Sequence, residues 1–127
     1  MLLRRMIVTF VSASLLVLPR PAQAHHRPNF YCSDSGDICQ STRKVDGVHK
    51  LGLLLAAKYF RVFHICVTDP DGYQSCVPFH VRRHDDGTFG RDVRWRKHFP
   101  YGGKGAYTVR WVTKAGRVGK VLGFHVR

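Results

Sequence analysis

The chain contains no glutamate, and this absence limits both its fold and its chemistry. Its eight acidic residues are all aspartates, most of them in turn contexts where their side chains can cap the backbone. Glutamate favours helices, and it is the usual carboxylic acid of raised pKa in acid–base catalysis. We therefore expect almost no helix and no catalytic pair of carboxylates.

Other signatures of catalysis and of zinc binding are also missing. No glycine-rich loop joins a predicted strand to a helix, so nucleotide binding has no support. None of the serines after residue 24 stands in a nucleophile elbow. The four cysteines are not spaced as C-x-x-C pairs, which argues against a zinc site. We predict that the protein is not an enzyme.

The N-terminal segment is typical of a secretory signal. Arg4 and Arg5 precede an uncharged, mostly apolar run over residues 6–18, and Ala22-Gln23-Ala24 ends in small residues where a signal peptidase cleaves. The run is shorter than the roughly 20 apolar residues of a transmembrane helix, although an uncleaved anchor is the alternative. We predict a signal peptide over residues 1–24, cleavage before His25, and a secreted, extracytoplasmic protein.

Four cysteines in a short secreted chain predict two disulfides, for which three pairings are possible. Asp69-Pro70-Asp71-Gly72 suits a three-residue turn between two predicted strands. Counting back along this hairpin places Cys66 opposite Cys76 in a non-hydrogen-bonded pair, close enough for a disulfide. Cys32 and Cys39 would then close a short loop. Free or metal-bound thiols are the alternative.

Short apolar stretches alternate with turn signals after residue 37, as in a sandwich or a barrel. The division is a signal peptide (1–24), an N-terminal arm with the start of the Cys loop (25–36), and one all-β domain (37–127). Seven strands are predicted, over residues 38–44, 48–55, 59–68, 73–82, 91–97, 106–113 and 118–126.

Alternation assigns the faces of these strands. Pro78 cannot donate to a ladder, so its strand is predicted at a sheet edge. Arg94 and Arg96 are predicted to point outward. The predicted core face of the central hairpin consists of Tyr59, Phe63, Ile65, Val67, Tyr73, Val77, Phe79 and Val81. Further inward positions are Val93, Trp95, Tyr107, Val109 and Trp111.

Gly105-Ala106-Tyr107 at the start of the penultimate strand resembles the tyrosine corner of immunoglobulin-type sandwiches. Val109 stands where an antibody domain carries its second cysteine, so the inter-sheet disulfide of those domains is missing here. The predicted fold is an all-β, seven-stranded Ig-like β-sandwich with two local disulfides.

The residues Gly105, Tyr107, Val109 and Trp111, followed by Gly123-Phe124, resemble the last two strands of CopC-type copper-binding proteins. Those proteins are exported Ig-like barrels. The resemblance implies copper bound by the amine and ring of the first mature residue, here His25. The segment 114–117 lacks the Asp and the His that this family carries between the two strands.

The whole chain after residue 24 is more similar to a group of small secreted bacterial proteins of uncharacterised function. In these, a Ser-Gly-Asp-x-Cys loop (here residues 35–39) precedes a cysteine-bearing hairpin. A Trp…Phe-Pro segment and a Gly-x-Tyr-x-Val-x-Trp strand follow, here Trp95, Phe99-Pro100 and residues 105–111. This resemblance implies an Ig-like fold and no activity.

Positive charge is the strongest functional signal, since the chain carries a formal net charge of +13. Such a charge attracts anionic glycans, cell-envelope polymers and other polyanions. We predict a non-catalytic binding module without a cofactor, which engages an anionic surface or a protein partner through a basic face. Its residues are Arg82, Arg83, Arg94, Arg96 and Lys97, with Arg91 and His98 on the same outward stripe.

An extracytoplasmic copper-binding protein is the alternative function. All eight histidines lie after residue 24, and neutral imidazole is a good copper ligand. His25 would bind the metal through its amine and its ring. His64 and His80 are predicted on one face of the central hairpin as diagonal neighbours, which could supply further ligands.

Overall fold

The computed structural model describes residues 27–127. The predicted signal peptide and His25 lie outside the described residues, so both stay predictions. Within the described part of the chain, no helix is long and apolar enough to cross a membrane.

The described residues form two antiparallel sheets and a single helical turn. The elements are β1 (Phe30–Cys32), β2 (Ile38–Ser41), β3 (Lys44–Val45), β4 (Val48–Leu55), β5 (Val62–Thr68), β6 (Gln74–His80), β7 (Arg82–Arg83), β8 (Phe89–Arg94), α1 (Trp95–His98), β9 (Gly105–Thr113) and β10 (Gly116–Val126). The first sheet has the order β1-β2-β4-β8-β7, and β3 pairs with β4. The second sheet has the order β10-β9-β5-β6.

The structure has ten strands where the sequence analysis predicted seven. Each predicted strand overlaps one of the longer observed strands, so the all-β prediction is confirmed. β1, β3 and β7 were missed because strands of two or three residues are too short to show an alternating pattern. β6 lies at the edge of its sheet, as Pro78 predicted.

The predicted strand over residues 91–97 is wrong in its second half. β8 ends at Arg94, and the chain then turns into α1. The backbone N–H of Phe99 donates to the carbonyl of Trp95 at 2.9 Å. Trp95 and Phe99 are both buried, whereas Lys97, which would share their face in a strand, is exposed. Burial of both aromatic rings thus favours the helical turn.

The core lies between the two sheets. On the central hairpin, Phe63, Ile65 and Phe79 are buried as predicted. Tyr59 and Tyr73 are instead 52% and 77% exposed, so their prediction as core residues is wrong. Both tyrosines precede the strands they were assigned to, and alternation does not apply outside a paired strand. The other predicted core residues that are buried are Val67, Val81, Val93, Trp95, Tyr107, Val109 and Trp111.

Both predicted disulfides are confirmed. Cys66 pairs with Cys76 in the register of β5 and β6, and their Cα atoms are 4.0 Å apart. Cys32 and Cys39 are bonded across β1 and β2, with their Cα atoms 4.1 Å apart. No cysteine of the described chain is free. Two intramolecular disulfides indicate an oxidising, extracytoplasmic environment.

The N-terminal residues from 28 onward are attached to the rest of the fold. The carbonyl of Pro28 accepts a hydrogen bond from Gly123 N at 2.9 Å, and that of Asn29 accepts from Thr42 N at 2.9 Å. The buried Thr42 hydroxyl donates to the carbonyl of Gly123 at 2.6 Å. These contacts join the edge of the first sheet to β10.

A second buried polar side chain strengthens the same edge. Gln40 donates through Nε2 to the Val118 carbonyl at 2.9 Å and accepts through Oε1 from Lys120 N at 3.0 Å. The β10 backbone bends around this amide at Gly119, where φ is +62° and a Cβ atom would collide with Gln40 Oε1. Glycine is therefore required at this irregularity in the β9–β10 pairing.

Candidate anion-binding groove

A groove of about 550 Å³ opens at the end of the molecule where β4 begins and β10 ends. It lies between the β3–β4 hairpin, α1 with the following loop, and the end of β10. Three of its side chains are cationic and none is acidic. The lining residues are Lys44, Gly47, Val48, His49, Trp95, Arg96, Tyr101, His125, Val126 and Arg127.

The floor of the groove is aromatic and continuous with the core. Trp95 is only 4% exposed and packs edge-on against Tyr107 and Phe124, with ring centroids 4.9 and 5.0 Å apart. Its buried indole Nε1 has no hydrogen-bond partner among the described residues, so packing alone holds the ring. Tyr101 lies 6.2 Å from Trp95 and is 47% exposed. The groove therefore presents one accessible ring on a rigid base.

A tyrosine corner positions the loop that carries Tyr101. The Tyr107 hydroxyl donates to the Gly103 carbonyl at 2.6 Å and accepts from Gly102 N at 3.0 Å. Bonds from a tyrosine hydroxyl to upstream backbone are characteristic of the tyrosine corner, which the Gly105-Ala106-Tyr107 motif resembles. Burial raises the pKa of the Tyr107 phenol, which keeps the hydroxyl protonated and able to donate.

Arg96 is held above the aromatic floor. Its Cζ lies 4.6 Å from the Tyr101 ring centroid and 5.6 Å from that of Trp95, within the range of cation–π attraction. The side chain is exposed. A guanidinium held in this way loses less freedom on binding, and its planar N–H groups match carboxylate, sulfate and phosphate oxygens.

His49 lines the groove in a half-buried position. Its ring stacks on Phe124 with centroids 4.4 Å apart, and Nδ1 lies 3.2 Å from the carbonyl of Thr42. A carbonyl only accepts, so we assign the proton to Nδ1, which leaves Nε2 as an acceptor. Burial and the charge of Lys44 lower the pKa of His49 from its ordinary value of 6.5, against the opposing hydrogen bond to Thr42.

The structure separates the five basic residues that the sequence grouped. Of these, Arg96 alone lines the groove. Arg94 pairs with Lys50, whereas Arg82 pairs with Gly90, four residues earlier on β8 and therefore about 13 Å away along the strand. Arg83 pairs with Phe89, and Lys97 lies exposed on α1.

Two cations of the groove were missed by the sequence analysis. Lys44 lies in β3, and Arg127 follows the end of β10. Both are far in sequence from residues 82–97, and no local pattern marks them as neighbours of Arg96. Arg91 and His98, which were expected on the outward stripe, are instead half-buried on the inner side of β8 and α1.

The predicted pair of histidines is placed as the hairpin geometry requires. His64 lies opposite Pro78 and His80 lies opposite Val62, so the two are diagonal neighbours, and both are exposed. Among residues 27–127, no group of three or more His, Cys, Asp or Glu side chains is arranged to hold a metal ion. Copper binding through His25 concerns a residue outside the described chain and stays a prediction.

Comparison of the chain with models of protein families, with curated proteins and with solved structures finds no match. The class of the protein therefore follows from its own structure. It is a disulfide-bonded, all-β protein of two antiparallel sheets that carries a cationic, partly aromatic groove at one end.

Proposed function

We propose that this protein is a secreted, non-catalytic binding module with an Ig-like fold, which engages an anionic polymer through the groove. In Ig-like sandwiches, strands A, B and E share one sheet and strands G, F and C share the other, which gains C′ in the variable type. The pairings β2-β4-β8 and β10-β9-β5-β6 follow this arrangement. The tyrosine corner at Tyr107 supports the same assignment.

The composition of the groove carries the functional proposal. Lys44, Arg96 and Arg127 come from three separate parts of the chain and line one concave surface without an acidic side chain. A concave surface with charges of one sign concentrates the potential and attracts ligands of opposite sign. Residues 25–127, which remain after the predicted cleavage, carry a net charge of +10, and this adds long-range attraction to the same ligands.

The aromatic part of the groove favours recognition of charged groups over stacking of successive bases. Single-stranded nucleic acids bind to several exposed rings in a row. Here Tyr101 is exposed, Trp95 is buried, and Arg96 lies above both rings. Among the side chains that line the groove, none is a carboxylate, and the only hydroxyl is the Tyr101 phenol. His49 therefore has no partner of a catalytic triad within the groove, which supports a binding role.

Dextran sulfate and uncharged dextran of equal length provide the test, because they differ only in their anionic groups. We expect binding of dextran sulfate alone, with an affinity that falls steeply as salt increases. Arg96→Gln should weaken binding about five- to tenfold and reduce the salt slope by about one. Arg83→Gln removes the same charge far from the groove and is the matched control.

Two results would overturn the proposal. One is equal binding of dextran and dextran sulfate, which would exclude recognition of charge. The other is an equal loss of affinity in the Arg83→Gln and Arg96→Gln variants, which would show that net charge matters and the groove does not.

A further inference from the structure

A second cationic cluster lies on the other side of α1, where the edges of the two sheets face each other. Arg91 occupies the inner side of β8, two residues before the buried Val93, and its Cζ lies 5.2 Å from the ring centroid of Phe79 on β6. The ring of His98 on α1 meets the same Phe79 edge-on, with centroids 5.1 Å apart. Three elements thus bring Arg91 and His98 together on one ring.

Two further cations lie near this pair. Arg82 on β7 pairs with Gly90, so its backbone is next to that of Arg91, although the two side chains leave opposite faces of the strand pair. Lys97 directly precedes His98. Burial and the charge of Arg82 lower the pKa of Arg91, and burial with the charges of Lys97 and Arg91 lowers the pKa of His98. No acidic side chain contributes to either effect.

A partly buried charge normally has a counter-charge, because removal from water is costly when nothing replaces the water. Arg91 lies near the like charge of Arg82 and over the face of Phe79. The missing partner is an anion, and the arrangement of donors around Phe79 suits one with several oxygen atoms.

We propose that Arg82, Arg91, Lys97 and His98 form a second anion site, which takes an oxyanion such as a sulfate, phosphate or carboxylate group. The oxyanion can be a free ion or a group on a polymer. None of the four residues lines the groove. The proposal therefore goes beyond the proposed function and does not depend on it.

Titration with inorganic sulfate, at constant ionic strength and with NMR detection of the histidine rings, tests the site. Sulfate keeps its charge across the pH range of histidine titration. We expect a saturable response of His98, a rise in its pKa on saturation, and an affinity about fivefold higher at pH 5.5 than at pH 8. His49 reports on the groove in the same spectra, so failure of one site is distinguishable from failure of the other.

Variants locate the response. Arg91→Gln should abolish the rise in the pKa of His98, and Arg82→Gln, at an exposed position, should weaken sulfate binding about two- to fivefold. Arg117→Gln removes an exposed charge on β10, at the other edge of the second sheet from β6, and is the control that should bind sulfate as the parent does. If Arg91→Gln does not fold, Arg82→Gln decides the matter.

The proposal is overturned if the pKa of His98 rises no more than that of the exposed His64. It is also overturned if Arg82→Gln and Arg117→Gln bind sulfate equally well. Repeating the titration with dextran sulfate separates the two sources of the oxyanion. A polymer site gives the His98 response with both probes, and a site for free ions gives it with inorganic sulfate alone.

Discussion

The two cationic clusters on either side of α1 hold positive charge in different ways. In the groove, Arg96 is exposed and lies over the half-exposed ring of Tyr101. Between β6 and β8, Arg91 is half-buried and lies over Phe79, which is only 4% exposed. The same cation–π contact therefore leaves one guanidinium hydrated and partly desolvates the other. Local sequence does not distinguish the two cases, because burial depends on which element faces the side chain.

Removal of the Trp95 ring, which forms the floor of the groove, should have the largest effect on stability. Trp95→Ala deletes a buried ring that contacts both the groove and the core, so we expect a loss of about 3–5 kcal/mol in the free energy of unfolding. Urea denaturation measures it. Tyr101→Ala is the control, since its exposed ring should cost less than about 1 kcal/mol and weaken only ligand binding in the groove. Equal losses in both variants would contradict the conclusion that Trp95, and not Tyr101, supports the core beneath the groove.

Removal of the tyrosine corner should have a smaller effect that is confined to the groove. Tyr107→Phe leaves the Gly102 N–H and the Gly103 carbonyl without their partner, and we expect a loss of about 1–3 kcal/mol. Hydrogen exchange at the Gly102 amide should accelerate, whereas the backbone amides around Phe79 should keep their protection. Unchanged exchange at Gly102 would mean that the hydroxyl does not hold the loop.

Replacement of each arginine by methionine distinguishes the two guanidinium groups directly. Arg91→Met keeps an apolar chain on Phe79 and removes a repelled, partly desolvated charge, so we expect a higher Tm at low salt. Arg96→Met removes a hydrated charge and should leave the Tm unchanged or slightly lower. Differential scanning calorimetry at low and high salt gives the comparison, and a lower Tm for Arg91→Met at low salt would contradict it.

The pH dependence of stability should give the smallest effect. Burial lowers the pKa of both His49 and His98 in the folded state, so the unfolded state binds more protons below the ordinary value of 6.5. The contribution of these histidines to the free energy of unfolding should therefore be fully present above about pH 6.5 and should be lost as the pH falls below it. The Tm of His49→Gln should depend less on pH than that of the parent between pH 7.5 and 5. An equal slope in both would exclude His49 as a contributor, and His64→Gln is the exposed control.

The central hairpin shows how far local pattern reaches. The Asp69-Pro70-Asp71-Gly72 turn set the register, and the register alone brought Cys66 opposite Cys76. The carboxylate of Asp69 accepts hydrogen bonds from Asp71 N and Tyr73 N, both at 2.9 Å, so the turn is stabilised within itself. Such features are predictable because every partner is within a few residues along the chain.

The groove shows where local pattern ends. Lys44, Arg96 and Arg127 line one groove because β10 lies against the edge of the first sheet, where the buried Gln40 of β2 and the following Thr42 bind its backbone. Arg91 was predicted to point outward because it is charged. It lies two residues before the inward Val93, so alternation along the strand places its side chain inward. The irregularity at Gly119 and the turn into α1 likewise depend on contacts with distant residues.

The sequence by itself determined the all-β class, the central hairpin, both disulfides and the tyrosine corner, because these depend on alternation, turn chemistry and short separations. Only the tertiary structure decided which cations share a groove, which become partly desolvated, and where a strand turns into α1. Those outcomes depend on packing between elements that are far apart in the chain. Burial then sets whether the same residue type remains hydrated or requires a partner.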